Sequence, residues 1–278
     1  MNLKLADYFN IPLFFNLFTI PFALFIYFSQ HNELGRLALA LYVFSLFFVL
    51  LHEYAHCFMA RRFGWLVKDI TILPLGCVAR IHFKYNIPKE EICVAIAGPL
   101  LNLAIMLLLL PVMILLAINE QLELFFVTFV MVLCNFMICA FNLLPVYPMD
   151  GGRILRAYLS RFMGHLNATW WAVRTGQLLG GCLSVFAFMH SYYMAAIIFL
   201  IMIVLGQNEL TQAKIIALLY KIREEICLTL NKPELARADL PELIAALEEI
   251  QDEEIKQKLE TDHLIFLLND LRQSKISI

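Results

Sequence analysis

Charged residues are scarce in this chain of 278 residues. Only 16% are charged and 61% are hydrophobic, with a mean hydropathy of +0.75, whereas water-soluble domains carry roughly 25% charged and about 45–50% apolar residues. A soluble fold cannot hide this much apolar surface. The composition therefore excludes a soluble protein and predicts that lipid is the solvent for most of the chain.

Paired cysteine motifs and processing signals are also missing. The seven cysteines include no CxxC pair and mostly lie within apolar runs, so we interpret them as small buried thiols. No small-residue cleavage site stands out after the apolar run that starts at Ile11, which predicts a retained span instead of a removed signal peptide. The sequence contains no internal repeat and no low-complexity run.

The sequence contains several long apolar runs. Since a helix needs about 20 apolar residues to cross a bilayer, we predict six transmembrane helices over 11–29, 37–60, 92–118, 123–145, about 170–189 and 192–208. Residues 66–84 alternate with the period of a strand and are interrupted by Pro74-Leu75-Gly76 as by a turn. We expect a mainly α, polytopic membrane protein with a short membrane-associated β-hairpin.

Charge is distributed unevenly along the chain. Residues 209–278 hold 14 acidic and 9 basic residues, whereas 1–208 hold 9 acidic and 12 basic. This contrast predicts a six-span membrane core over 1–208 and a small helical cytoplasmic tail over 209–278. Because Lys and Arg concentrate after the second and fourth runs, the positive-inside rule places both loops and both termini in the cytoplasm, in a multi-pass protein of the cell membrane. An even number of spans agrees with that orientation.

Ionisable residues are nearly absent from the interiors of the apolar runs, where each charge costs at least about 2.5–3.5 kcal/mol. The exceptions are His52, Glu53 and His56 in the second run, and Asp150 directly after the fourth. The first three form an HExxH motif. Positions i and i+4 share one face of a helix, so both imidazoles could bind one zinc ion. Glu53 would touch a water at the metal without binding the metal itself.

A hydrolytic zinc site needs a third ligand, because it keeps three protein ligands and one open position. Asp150 follows Pro145 and Pro148, which would end the helix, and precedes Gly151-Gly152, which free the backbone to approach a metal. Two structural alternatives remain open at this point. Asp150 could be a helix cap, and the two histidines could be core residues held by their neighbours.

The motifs, taken in order, carry a resemblance to a known family. HExxH is followed by Leu73-Pro74-Leu75-Gly76, by Ala97-Gly98-Pro99-Leu100-Leu101-Asn102, and by Asn142-x-x-Pro145 leading to Asp150-Gly151-Gly152. Over about residues 36–209 the chain resembles the site-2 protease family of intramembrane zinc metalloproteases, in its compact prokaryotic branch. It departs from many relatives in having Gly76-Cys77 for Gly-Gly and a short helical tail for paired nucleotide-sensing modules.

The resemblance implies a site and an activity. It implies one zinc ion per chain, held by His52, His56 and Asp150, with Glu53 as the catalytic acid and base. Asn102 and Asn142 match positions that help to position substrate or to stabilise the intermediate, and the alternative for both is interhelical hydrogen bonding. The implied function is regulated intramembrane proteolysis, the cleavage of membrane-embedded or membrane-associated proteins.

The expected partners follow from this reading. They are the lipid bilayer, a single-span or membrane-associated substrate that could add as a strand to the edge of the 66–84 hairpin, and a second copy of the chain. The second copy would bind through apolar stripes on tail helices over 240–250 and 261–271. We expect no nucleic acid.

Three other functions stay open. A metal transporter usually places polar groups on several spans near the midplane, and a di-iron oxygenase would need many more histidines than the two found in spans. A proteolytically inactive relative would have no need of Glu53.

Overall fold

A computed structural model describes residues 2–29, 33–82 and 87–230. The chain divides into two compact units, Met1–Gln207 and Asn208–Ile278. The elements are β1 (Asn2–Tyr8), β2 (Ile11–Asn16), α1 (Thr19–Ser29), α2 (Glu33–Arg62), β3 (Leu66–Leu73), β4 (Gly76–His82), α3 (Pro88–Ile118), α4 (Leu122–Asn142), α5 (Asp150–Met163), α6 (His165–Met189) and α7 (Tyr193–Leu230). The helices predicted over 240–250 and 261–271 lie outside the described residues, so the helical tail stays a prediction.

Five of the described helices are long and apolar enough to cross a membrane. They are Gly35–Arg62, Pro88–Ile118, Leu122–Asn142, His165–Met189 and Tyr193–Ile215. These helices correspond to the second to sixth predicted runs. Large apolar side chains on them are exposed, among them Leu108 and Phe186, as expected where lipid is the solvent. The prediction of a mainly α, multi-pass membrane protein is confirmed.

The single helix predicted over 11–29 is wrong. Ile11–Asn16 form β2, and only Thr19–Ser29 are helical. A helix of that length measures about 16 Å, roughly half of the hydrocarbon core. The physical reason is pairing: β2 has a strand partner on each side, β1 and β3, and hydropathy alone cannot distinguish a buried strand from a buried helix.

The strand β2 and the helix α1 nevertheless follow α2 lengthwise. Just before β2, the carbonyl oxygens of Phe9 and Asn10 accept hydrogen bonds from the Arg61 guanidinium, near the C-terminal end of α2. Further on, the ring of Phe22 in α1 packs 5.7 Å from the ring of Tyr42, closer to the N-terminal end of α2. A strand and a short helix thus take the path that one helix was expected to take.

The strands form one sheet in the order β1-β2-β3-β4. β1 and β2 are antiparallel and are joined by Phe9 and Asn10, both at positive φ, as two-residue hairpin loops require. β2 and β3 are parallel, and β3 and β4 form the antiparallel hairpin predicted over 66–84. The hairpin is therefore present, but as half of a larger sheet whose N-terminal strands were not foreseen.

The sheet lies alongside α2 at the level of the HExxH motif. The Tyr42 hydroxyl donates to the Pro74 carbonyl over 2.8 Å, and the Ala79 N–H donates to Glu53 Oε2 over 3.2 Å. Non-helical backbone is tolerated at membrane depth only where protein or a water-filled cavity covers it. Here protein covers one face of the sheet, through a core that includes Cys57, Ala60, Trp65, Ile70 and Val94.

The segment between α4 and α5 is packed against α6. Tyr147 is buried, and a Cβ placed on Gly176 would come within 3.1 Å of the Val146 backbone. A Cβ on Gly152 would lie 2.9 Å from the Tyr147 nitrogen. These glycines allow α5 and α6 to pack closely against the segment 143–149.

Candidate metal centre

The two histidines of the HExxH motif lie on one buried face of α2. Their ring centroids are 4.7 Å apart, and His52 and His56 are 2% and 4% exposed. This is the arrangement predicted from the i, i+4 spacing. Burial of two polar rings requires that every ring nitrogen find a partner.

The partners come from one face of α3, where Val94, Gly98 and Asn102 follow each other at intervals of four residues. His56 Nδ1 lies 2.7 Å from the Val94 carbonyl oxygen, and His52 Nδ1 lies 2.6 Å from Asn102 Oδ1. A carbonyl oxygen only accepts hydrogen bonds, so both Nδ1 atoms carry a proton. The Nε2 atoms of the neutral rings are then left with lone pairs.

Asp150 brings the third donor atom. It is the first residue of α5, and its Oδ2 lies 3.0 Å from His52 Nε2 and 3.2 Å from His56 Nε2. The ligand atoms of the three buried residues lie within 4.8 Å of one another. The structure thus brings together the three residues that the sequence predicts as ligands.

The donor set fits zinc. Two neutral imidazole nitrogens and a carboxylate oxygen converge, and three lone pairs facing one point repel each other unless a cation lies between them. Two histidines and one carboxylate are a known ligand set of hydrolytic zinc sites. Gly98 also keeps the space open, because a Cβ there would lie 2.6 Å from His52 Nε2 and 2.5 Å from His56 Nε2.

Two ionisable groups beside the site have shifted pKa values. Burial acts to raise the pKa of Asp150, whereas the positive charge of Arg153 acts to lower it. The carboxylate must be ionised to bind a metal, and the arginine favours that form. Burial, aided by the charge of Glu53, raises the pKa of Cys77 to about 12, so that thiol is neutral at neutral pH.

Glu53 stands apart from the three ligands. It is half-buried, and its Oε2 accepts the hydrogen bond from the Ala79 N–H of β4. The group of potential ligand atoms does not include it. The arrangement agrees with the expectation that this carboxylate does not bind the metal.

The two predicted asparagines have different surroundings. Asn102 donates from Nδ2 to Asn135 Oδ1 over 2.8 Å while it accepts from His52, which matches the interhelical alternative. Asn142 donates to the Ile138 carbonyl of its own helix, and within the described part of the chain it has no hydrogen bond to the three ligands. A role for Asn142 toward substrate stays a prediction.

Sequence reasoning missed Asn135. It is fully buried in α4, and its Nδ2 donates to the Met131 carbonyl over 2.9 Å. A signal was available, because Asn135 is an amide inside an otherwise strongly apolar run, where a polar group is expensive unless it is hydrogen-bonded. The cost of burying a polar group, which distinguishes the HExxH residues, applies to Asn135 as well.

An ion pair between a buried arginine and a partly buried glutamate joins α5 to α3. Arg156 donates to Glu91 Oε1 in the first turn of α3, and its guanidinium lies 5.7 Å from the ring centroid of Tyr147. Next to it, the Trp65 indole donates to Glu90 over 2.8 Å. The helix that begins at Asp150 is thereby joined to the helix that supports both histidines.

The fold and the site define a multi-pass membrane protein whose HExxH helix carries a buried His–His–Asp group able to hold a metal ion. The profile of peptidase family M50 matches residues 39–125 and 111–183, together just over half of the chain. The chain belongs to this family, which confirms the resemblance to site-2 proteases. The expectation of zinc is confirmed at the level of the family.

Two curated proteins are similar to part of this chain. The chain is 41% identical over 132 residues to zinc metalloprotease MJ0392 of Methanocaldococcus jannaschii, a match that covers 47% of this chain and 38% of the relative. It is 36% identical over 118 residues to stage IV sporulation protein FB of Bacillus subtilis, covering 42% and 39%. The chain thus spans about two fifths of the length of these curated relatives.

A solved structure has the same fold. The site-2 protease from Methanocaldococcus jannaschii superposes with a TM-score of 0.56 at 25% sequence identity, covering 75% of this chain and 95% of that one. The similarity therefore extends well beyond the segment that contains the motifs.

Proposed function

We propose that this chain is a zinc-dependent endopeptidase that cleaves membrane-embedded or membrane-associated proteins. His52, His56 and Asp150 would hold one zinc ion, and Glu53 would be the acid and base. The observation that carries the proposal is the convergence of His52 Nε2, His56 Nε2 and Asp150 Oδ2 within a buried site. Family membership supports the same reading.

Glu53 has the chemistry that peptide hydrolysis needs from the protein. When bound, zinc would polarise the substrate carbonyl and lower the pKa of a water toward neutrality. Glu53 Oε2 would then take a proton from the attacking water and later deliver it to the leaving amine. The Ala79 N–H holds that oxygen in place at 3.2 Å, so the carboxylate is oriented before substrate arrives.

The substrate would add to the outer edge of β4. In the described part of the chain, β4 is the last strand of the sheet. The Ala79 N–H points away from β3, because it donates to Glu53. Backbone N–H groups alternate in direction along a strand, so the N–H of Ile81, two residues later, points to the same side as that of Ala79. An extended peptide paired with this edge would therefore pass beside the catalytic carboxylate, already unwound for attack.

The orientation is also part of the proposal. Both termini and the basic loops after α2 and α4 would face the cytoplasm. Counting β2 and α1 together as the first crossing keeps the number of crossings even. His56 precedes Arg61 by only five residues, about 8 Å along the helix, so a short polar route would supply water from the cytoplasm.

The activity is tested with a Glu53→Gln variant. Native and variant chains are purified, their zinc content is measured, and each is reconstituted in vesicles with a panel of single-span membrane proteins. We expect one zinc per chain in both and a loss of cleavage by at least about 100-fold in the variant, as for removal of a general base. Glu123→Gln, at an exposed position of α4, is the control and should cleave normally. Cleavage by Glu53→Gln at the native rate would overturn the proposal.

Strand addition is tested at Ile81. Ile81→Pro removes an N–H from the outer edge of β4 without removing a ladder hydrogen bond, which an edge strand tolerates. Ile81→Ala is the matched control, since it loses the same side chain and keeps the N–H. We expect the proline variant alone to raise KM, with zinc content unchanged. Equal KM values for the two variants would contradict this substrate position.

The C-terminal segment would serve assembly or substrate docking. Deletion of 231–278, which lies outside the described residues, should leave zinc content unchanged. It should reduce cleavage of a substrate found in the panel or shift the oligomer size in detergent. If neither changes, the membrane core alone carries the function.

A further inference from the structure

We infer that Asn135 is a positioning residue: acting through Asn102, it determines which ring nitrogen of His52 carries the proton and so keeps His52 Nε2 available to a metal. The inference rests on the proposed zinc site and not on the peptidase activity. It concerns a chain of three side chains that runs from the middle of α4 through α3 to α2.

The chain of hydrogen bonds begins at a backbone carbonyl. Asn135 Nδ2 lies 2.9 Å from the Met131 carbonyl oxygen, one turn earlier in α4. That oxygen can only accept, so the amide nitrogen must face it and Oδ1 must face away. A reversed Asn135 amide would bring two oxygens together inside the protein. The position of Met131 O therefore settles the direction of the Asn135 side chain.

The orientation of Asn135 in turn fixes the orientation of the Asn102 amide. Asn135 Oδ1 accepts from Asn102 Nδ2 over 2.8 Å, which turns Asn102 Oδ1 toward His52. Asn102 Oδ1 then accepts from His52 Nδ1 over 2.6 Å. The proton of the neutral ring is thereby held on Nδ1, and the lone pair of Nε2 points toward Asp150 Oδ2, 3.0 Å away.

Reversal of Asn102 would have the opposite result. Its NH2 group would face His52 Nδ1, which would then accept, and the ring proton would move to Nε2, where it blocks a metal. Asn102 and Asn135 are both fully buried, so a wrongly directed amide would bury unsatisfied polar atoms in a site of low dielectric. Asn102 alone has no preferred direction, because an amide can present either end to an imidazole. Asn135 removes that ambiguity.

Four variants separate this role from simple packing. Asn135→Leu keeps the branched shape and the number of heavy atoms and removes both hydrogen bonds, so Asn102 is free to reverse. Asn135→Asp, protonated in this apolar setting, can still donate to Met131 O and accept from Asn102. Asn102→Asp is ionised because it accepts from His52 Nδ1–H, so it presents only acceptors to His52 and needs no direction from Asn135. It is also combined with Asn135→Leu, which removes the Asn135 Oδ1 that Asn102→Asp leaves without a donor. Thr128→Val is the control on the same helix, since Thr128 is buried and also bonds a carbonyl one turn back.

The readout is metal binding by the purified full-length chain, measured by chelator competition with Zn²⁺ and by the visible spectrum of the Co²⁺ form. We expect Asn135→Leu to weaken zinc binding by about 10–100-fold, the range for outer-shell partners of metal ligands, and to alter the cobalt bands. Asn135→Asp and Thr128→Val should remain within about 3-fold of native. Adding Asn135→Leu to Asn102→Asp should cost little further, since the two sites are coupled.

Two results would overturn the inference. One is native zinc affinity in Asn135→Leu. The other is the same loss from Asn135→Leu in the Asn102→Asp background as in the native chain, because additivity means that Asn135 acts by packing alone. A native chain that binds no zinc would instead refute the proposed function, so the two failures are distinguishable.

Discussion

The two histidines of the candidate metal centre are held by different means. On one side, a backbone carbonyl of α3 accepts directly from His56 Nδ1. On the other, the acceptor for His52 Nδ1 is a side-chain amide, which itself depends on a second amide in α4. A backbone carbonyl cannot reverse and is present whatever the residue. The support of His52 therefore depends on the residue type at two positions, 102 and 135. The support of His56 depends only on where α3 lies.

The largest expected effect acts on both sides at once. Gly98→Ala would place a Cβ 2.6 Å from His52 Nε2 and 2.5 Å from His56 Nε2, so one ring or α3 must move. We expect zinc affinity to fall by more than about 100-fold, beyond the range for outer-shell changes, as measured by chelator competition. Gly181→Ala is the control, because a Cβ there would meet nothing within 4 Å. Native zinc binding by Gly98→Ala would show that the site is looser than the contacts indicate.

The next prediction compares the two sides directly. Asn102→Leu removes the acceptor for His52, and we expect zinc affinity to fall by about 10–100-fold. Val94→Ala leaves the carbonyl that serves His56, so affinity should change by less than about 3-fold, although the lost methyl groups should lower stability by about 1–2 kcal/mol. Zinc titration measures affinity and thermal unfolding measures stability, so both variants are tested by both methods. Equal losses of zinc affinity in the two variants would contradict the expected difference between the supports of His52 and His56.

A smaller effect on the metal is expected at the ion pair that joins α5 to α3. Arg156→Met leaves the partly buried Glu91 without its partner, which should lower stability by at most about 3–5 kcal/mol, measured by thermal unfolding. Zinc affinity should fall by no more than about 10-fold, since Asp150 keeps its place in the first turn of α5. Adding Glu91→Leu should restore most of the stability. If the double variant is no more stable than Arg156→Met, the unpaired Glu91 is not the cause of the lost stability.

The smallest effect on zinc is expected at Asn142. Its amide donates to Ile138 O within its own helix, so Asn142→Leu should keep zinc affinity within about 2-fold of native, well below the outer-shell range. Cleavage of a panel substrate is measured on the same preparation. A fall in cleavage with zinc retained would support the predicted role toward substrate, whereas a loss of zinc would place Asn142 with Asn102 as a support of the centre.

The positions of the crossing helices were largely predictable, since apolar runs of sufficient length report lipid exposure directly. The hairpin of β3 and β4 was also predictable from its alternating pattern. The structure of residues 11–29 was not predictable. Residues 11–16 have the hydropathy of a helix, yet β2 forms because β1 and β3 satisfy its backbone on both edges. Pairing between segments more than fifty residues apart leaves no local signal.

For the candidate site, the sequence by itself determined the chemical types. HExxH places two imidazoles on one helix face through the period of the helix, and the expense of burying charge makes Asp150 a candidate third ligand, which the family resemblance then implies. Only the tertiary structure decided how those groups are held. Val94 contributes through its backbone, Gly98 through the absence of a side chain, and Asn135 through the orientation of another amide. Residue identity alone reveals none of these contributions, because each arises only once α3 and α4 are packed against α2.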